Sequence, residues 1–358
     1  MTANTVRIGI IGTGIGAEHI RAFQQAPGAV VTAICSAQRE RAEAVARQFS
    51  IPRATTDYRD LLDREVDAVV ITTPPALHRR MALDAIAAGK HVFCEKPLAA
   101  TLADAVVMRD AAEAAGIVHM VNHQTRFGAT YREARRLMDA GYLGTPTLAD
   151  ARISLNPADY LRGPRWSTSK AGWFVDRAQG GGILAGSAGP HLFDLLRWYW
   201  GEVAAVTCTA AVTVPTITLA DGGEISDITA PDGFIALLRF VNGAMATVRG
   251  VPIAYHRGGF SFEFNGTAGA LLVAPADLRG ATDADPAPHE LPVPDAPHDR
   301  VGIATRFIRA IQEGEPAPAP NFRDGVAVQT ILDALDAAMA TQSWVSLTPD
   351  SFPAREGE

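Results

Sequence analysis

Through the first 122 residues of this 358-residue chain, short apolar runs alternate with longer amphipathic stretches, and the first run ends in a glycine-rich turn. Val6–Ile11, Ala29–Cys35, Ala68–Thr72, His91–Cys94 and Ile117–Val121 read as strands. Three of them are almost continuously apolar, as expected of strands covered on both faces. Between them, Arg39–Phe49, Leu77–Ala88 and Leu102–Ala115 carry helical spacing and good helix formers. Gly89 and Gly116 follow two of these helices, where a left-handed cap favours glycine. This rhythm predicts right-handed βαβ units on a parallel sheet.

The turn after Val6–Ile11 is Gly12-Thr13-Gly14-Ile15-Gly16-Ala17, with a helix expected over Glu18–Gln25. It matches the dinucleotide fingerprint Gly-x-Gly-x-x-Gly/Ala in its required setting, between a first strand and a helix. Gly12 would permit the tight turn, Gly14 the approach of a pyrophosphate, and Ala17 close packing of helix on strand. The helix start offers free N–H groups and a positive dipole end. A ligand-free glycine turn is the plainer alternative, and the strand–helix context argues against it. Ribose is read near the end of the second strand, here Ile34-Cys35-Ser36-Ala37-Gln38-Arg39, with no acid before Glu40. Ser36 with Arg39 or Arg41 suits a 2′-phosphate, so NADP is preferred over NAD; both arginines could equally be solvated.

After Thr125 the pattern changes. Tyr131–Ala140 and His191–Trp200 read as helices and Leu148–Leu155 as a strand. Long β-type runs follow at Val203–Val214, Gly233–Phe240, Ala244–Val251 and Gly259–Phe264. Arg306–Glu313 and Val326–Thr341 are expected helices, Val345–Leu347 a last strand, and Ala274–Pro297 a surface loop or edge excursion. The fold expected is α/β: a dinucleotide-binding domain over 1–124, then an α+β domain over 125–358 with a large, mostly antiparallel open sheet. A net charge of −7 gives no support to nucleic-acid or membrane partners. Three scattered cysteines, Cys35, Cys94 and Cys208, argue for a reducing compartment. No spacing suggests a metal site, and neither a signal core nor a membrane-length apolar run is present, so a cytoplasmic location is expected.

Two stretches carry candidate chemistry. Lys96, in Phe93-Cys94-Glu95-Lys96-Pro97, falls beyond a strand's carboxyl end, where ligands of open α/β sheets bind. Near a cationic nicotinamide its pKa would fall, suiting it to hold or deprotonate a hydroxyl; an exposed turn lysine is the alternative. The second stretch runs from Gly180-Gly181-Gly182 through Ser187 to Gly189-Pro190-His191-Leu192-Phe193-Asp194. His191 suits proton transfer near neutral pH and shares a helix face with Asp194, although a helix-entry histidine is commonly structural.

Together these pieces resemble the glucose–fructose oxidoreductase/inositol dehydrogenase (Gfo/Idh/MocA) family. The carriers are Gly12-Thr13-Gly14-x-x-Ala17, Thr73-Pro74-Pro75-x-x-His78, Glu95-Lys96-Pro97, Gly180-Gly181-Gly182 leading to Gly189-x-His191-x-x-Asp194, and Asn265-Gly266-Thr267-Ala268-Gly269. The resemblance implies a Rossmann domain and a second domain whose open sheet forms a homodimer or homotetramer interface. It also implies hydride transfer between a secondary alcohol of a sugar, sugar acid or cyclitol and NAD(P). Lys96 would position the hydroxyl and His191 act as main acid/base. Thr72, Thr73 and Pro74 would line the nicotinamide pocket with His78 behind them, Glu95 would support Lys96 or meet the cofactor, and Asn122 and Arg126 would line the site. Many members carry an aspartate where this chain has Ser187, a hydroxyl without the charge.

The substrate is expected against the loop 156–182, which offers Tyr160, Arg162, Arg165, Trp166, Lys170, Trp173 and Asp176. Tryptophan faces suit sugar rings, although each could equally anchor a core. Two other functions stay open: a glycosidase or lyase that oxidises its sugar transiently on a tightly held cofactor, and a non-catalytic dinucleotide or sugar sensor.

Overall fold

The computed structural model describes residues 5–155, 168–179, 181–219, 221–252, 259–285, 287–295 and 299–347. Six strands make one parallel sheet: β1 (Val6–Ile11), β2 (Ala29–Cys35), β3 (Arg53–Thr55), β4 (Ala68–Ile71), β5 (His91–Cys94) and β6 (His119–Val121), in the order β3-β2-β1-β4-β5-β6. Helices α1 (Gly16–Gln25), α2 (Arg39–Phe49), α3 (His78–Ala87) and α4 (Leu102–Ala114) connect them. Every residue of β4 is buried, the signature of a strand sheltered on both faces. The strand expected over 117–121 forms only its last three residues, with Ile117 and Val118 leading in. β3 was not expected, because three half-buried edge residues carry no readable periodicity.

A second sheet is built from β7 (Pro146–Ser154), β8 (Val203–Ala211), β11 (Gly233–Phe240), β12 (Met245–Val251), β13 (Gly259–Gly266), β14 (Gly269–Ala274), β15 (Asp277–Thr282), β16 (His289–Glu290) and β17 (Val345–Ser346); the short strands β9 (Ile217–Thr218) and β10 (Glu224–Ile225) pair separately. Its order is β16-β15-β14-β13-β7-β12-β11-β8-β17, antiparallel except for the β7–β12 pair. In β11, Phe234, Ala236, Leu238 and Phe240 face inward while Ile235, Leu237 and Arg239 face out, the period of two that a one-sided sheet demands. Beside this sheet run α5 (Ala129–Asp139) and, after α6 (Thr168–Val175), whose Phe174 and Val175 pack with Ile217 and Leu219, α7 (Gly189–Trp200); Leu192, Phe193, Leu195 and Leu196 of α7 join the sheet's core.

One expectation is corrected here, and one pair of alternatives is decided in favour of an edge excursion. The run read as a strand to Val214 stops at Ala211, because the Asp232 carboxylate accepts from Thr213 N (2.7 Å) and Val214 N (2.8 Å) and draws the chain off the ladder. The Asp-, Pro- and Ala-rich stretch 274–297 contains β15 and β16; Leu278 is the fully inward apolar side chain of β15, too sparse a pattern to read.

The chain ends in α8 (Asp299–Glu313), α9 (Phe322–Thr341) and β17. Contacts divide it into one unit of residues 1–124 with 298–326 and another of 125–297 with 327–358, whereas the sequence reading carried the second domain unbroken from 125 to 358. The return to the first unit is apolar: Phe307 of α8 lies edge-on to Phe23 and Phe93, 6.3 and 5.5 Å between ring centres, and Phe322 is fully buried.

Candidate active site

All six strands of the first sheet are parallel, so the ends of β1, β2, β4, β5 and β6 reach one edge. That edge gathers Gly12, Ser36, Thr72, Glu95 and Asn122. Gly12 has φ +112°, and a Cβ there would lie 2.5 Å from Thr72 Oγ1, so only glycine fits. Thr72 Oγ1 donates to the Ile11 carbonyl (3.0 Å), fixing the turn from the neighbouring strand. A Cβ on Gly14 would meet nothing within 4 Å, and no side chain caps the start of α1. Open space in front of uncapped N–H groups fits a pyrophosphate. The close approach of helix to sheet falls on Gly16, 3.1 Å from Thr72 Oγ1 for an added Cβ, rather than on the half-buried Ala17. Ile15 precedes the helix, and Thr13 Oγ1 lies 3.3 Å from Ser36 Oγ, joining the turn to the end of β2. Arg39 is exposed with Glu43 at 4.0 Å, and Arg41 is half-buried in the first turn of α2.

At the end of β5 the Lys96–Pro97 peptide is cis and Lys96 is partly exposed. Glu95 behind it is buried and gathers donors from three elements. His19 Nε2 of α1 lies 2.7 Å from Oε1, Asn122 Nδ2 donates to Oε1 (2.7 Å), and the Lys96 N–H donates to Oε2 (3.1 Å). Arg300 of α8 stands 3.9 Å from Oε1 and 3.0 Å from Glu18 on α1. Burial would raise the Glu95 pKa, but the His19 hydrogen bond and the charges of His19, Lys96 and Arg300 hold it well below the usual carboxylate range.

His78 stands behind the Thr73-Pro74 loop, the place the family resemblance implied. It is wholly enclosed, its Nε2 2.8 Å from the Thr73 carbonyl and its Nδ1 3.2 Å from those of Pro97 and Leu98. Burial lowers its pKa against the pull of those carbonyls, and the ring links the Thr73-Pro74 loop to the Lys96 turn. Asn122 is equally enclosed and backs Glu95. Thr73 is half-buried, with its hydroxyl 3.5 Å from Met81 Sδ.

In the second unit, Ser187 and His191 are buried beside the start of α7, and the His191 ring meets the edge of Phe260, 6.1 Å between ring centres. Gly189 has no room for a side chain, since a Cβ would fall 1.8 Å from the Leu184 carbonyl oxygen. Asp194, read as sharing a face with His191, receives Arg126 Nε (2.7 Å) and Nη2 (2.5 Å) in a buried bidentate pair. Asp194 therefore engages Nε and Nη2 of Arg126. Tyr160, Arg162, Arg165 and Trp166, with the Lys170 side chain, lie outside the described residues. Trp173 stacks edge-on to Phe174, and Asp176 accepts from Ala178 N (2.9 Å) and Gln179 Nε2 (2.8 Å). Among the described residues no cluster of His, Cys, Asp and Glu has a metal-binding arrangement.

The sequence reading did not single out His19 or Arg300. His19 carried a faint signal, a polar ring on the face of α1 that also holds Ile20 and Phe23; Arg300 carried none, being two hundred residues from its partner.

Residues 6–123 match the family model for an oxidoreductase family with an NAD-binding Rossmann fold, and residues 131–272 match the GFO/IDH/MocA C-terminal domain. The levoglucosan dehydrogenase of Pseudarthrobacter phenanthrenivorans is 30% identical over 96% of this chain and 98% of its own length. Inositol 2-dehydrogenase 1 of Saccharopolyspora erythraea is 39% identical over 57% of each chain. Among solved structures, a levoglucosan dehydrogenase in complex with NADH and levoglucosan superposes with a TM-score of 0.85 at 28% identity, covering 96% of this chain and 99% of that one.

Proposed function

The chain belongs to the GFO/IDH/MocA oxidoreductase family, and from that premise we propose that it moves a hydride between a secondary alcohol of a sugar, sugar acid or cyclitol and a nicotinamide dinucleotide. The observation that carries this reading is the open cradle at Gly12 and Gly14 on the same sheet edge as Lys96. Gly12, Thr13, Gly14, Ile15 and Gly16 would hold the pyrophosphate, with Thr72 to Pro74 and Glu95 on the nicotinamide side. When bound, the dinucleotide supplies the hydride acceptor or donor.

Lys96 would donate from Nζ to the reacting oxygen, and His191 would take the hydroxyl proton on its imidazole during oxidation and return it during reduction. Ser187 would hydrogen-bond where relatives offer a carboxylate. The outward sheet face would be covered by a second copy, as a homodimer or homotetramer, and the protein would work in the cytoplasm. No helix among the described residues is long and apolar enough to cross a membrane.

The cofactor choice rests on Ser36 and Arg39: no acidic residue follows β2 before Glu40 to repel a 2′-phosphate, so NADP(H) should bind more tightly than NAD(H). NADH in the levoglucosan dehydrogenase complex argues for the opposite preference. Fluorescence titration with both nucleotides decides between them. An absorbance screen at the dinucleotide band, with levoglucosan, myo-inositol and sugar acids, then tests the reaction. In Lys96→Ala and His191→Ala, turnover should fall by about 10²–10⁴-fold with nucleotide affinity kept. Failure of the wild type to bind either nucleotide would remove the proposal.

A further inference from the structure

We propose that His19 and Arg300 are positioning residues that tie the phosphate-binding helix α1 to the Lys96 turn through Glu95, so that the two ends of the dinucleotide site hold a fixed separation. The inference rests on the oxidoreductase reading and adds two residues that reading does not use.

The two ends of the site lie on different elements. The pyrophosphate end is the start of α1, and the nicotinamide end is the turn after β5. Two routes join them, both through the same carboxylate. His19, one turn into α1, reaches Glu95 Oε1 directly at 2.7 Å. Glu18, the residue before it, pairs with Arg300 Nε at 3.0 Å, and Arg300 Nη1 stands 3.9 Å from Glu95 Oε1. Through Oε2 Glu95 accepts the Lys96 N–H at 3.1 Å, and the Asn122 amide shares Oε1 with His19 at 2.7 Å. The carboxylate therefore sets the turn and is itself held by α1 and α8. His19 has no freedom to swing away, being 2% exposed with its ring against the edge of Phe93, 5.6 Å between ring centres. Phe93 is in turn wedged by Phe307 of the same α8 that supplies Arg300. A buried charge held by hydrogen bonds has a narrow orientation, and removing one donor leaves it under-solvated and free to turn.

A rigid separation matters only to a ligand that spans both ends. ADP touches the α1 end alone, whereas NADH and NADPH engage both. In His19→Leu, which keeps bulk but removes the donor, the dissociation constant for the preferred dinucleotide should rise by at least about tenfold, the weight of a hydrogen bond to a charged group. ADP should weaken by less than about threefold. His19→Gln, which can place an N–H near the Nε2 position, should recover most of the dinucleotide affinity. Arg300→Met should give the same discrimination in smaller measure, and it carries the test if His19→Leu does not fold as judged by its melting curve. Equal weakening of ADP and dinucleotide would reduce His19 to a packing residue of α1 and overturn the inference. So would unchanged dinucleotide affinity in both variants, or a Gln variant no better than Leu. If the wild type binds no dinucleotide, the oxidoreductase reading itself fails; if it does and the variants match it, only the inference fails.

Discussion

Arg126 and Asp194 show how a side chain's partner redefines it. Each alone has a catalytic look, a cation and a carboxylate near a candidate acid/base histidine. Paired at 2.5–2.7 Å with 7% and 1% of their side chains exposed, they form a closed buried ion pair that fixes the turn 124–127 to α7. Arg126→Leu leaves the Asp194 carboxylate buried without its counter-charge and should cost about 3–5 kcal/mol in denaturant unfolding. The double variant Arg126→Leu/Asp194→Leu should recover most of that loss, because an apolar pair of similar volume carries no desolvation penalty. A double variant as unstable as the single one would show that the pair matters for shape and not for charge. Spacing placed His191 and Asp194 on one face correctly as helix geometry, but it could not reveal a third residue 68 positions upstream.

Among the elements, β6 and the start of α9 are joined by one imidazole. The Phe322 N–H donates to His119 Nδ1 (3.2 Å), and burial, with Arg323 adding to it, pushes the His119 pKa from 6.5 down to about 4. The ring is neutral in the fold and takes a proton more readily once unfolded. Its stability contribution is therefore complete above pH 6.5 and lost as pH falls from there toward 4. Between pH 7.5 and 5 the wild type should lose roughly 2 kcal/mol more than His119→Asn, whose carbonyl can still accept from Phe322. Parallel urea titrations at the two pH values measure this, and equal losses would refute it. The elements themselves were largely legible: β1, β2, β5, β11 and α2 have the bounds that periodicity gave them. β3, β15 and β16 were not, since short edge strands bury too few side chains to leave an alternation.

For the molecule as a whole, the outward face of the second sheet is the feature that a single chain leaves unexplained. Leu148, Met245, Ile235 and Leu237 are 39%, 51%, 56% and 40% exposed on the adjacent strands β7, β12 and β11, set among Arg239, Thr247 and Arg249 on the same face. Exposed apolar side chains of this size are the ones that the proposed contact with a second copy would cover. Ile235→Asp with Leu237→Asp should turn an oligomer into a monomer in light scattering, with the first unit's nucleotide affinity kept. A monomeric wild type would count against the assembly. By itself the sequence determined the architecture of both units, the glycine cradle and the place of Lys96, because these depend on local periodicity and on backbone conformations that only glycine adopts. Tertiary structure alone decided that residues 298–326 return to the first unit and that Asn122 stands behind Glu95. It likewise decided that Arg126 answers to Asp194 and that Glu95 draws His19 and Arg300 from distant segments. Those outcomes depend on which buried charge meets which donor, and burial is a property of the packed chain, not of any stretch of it.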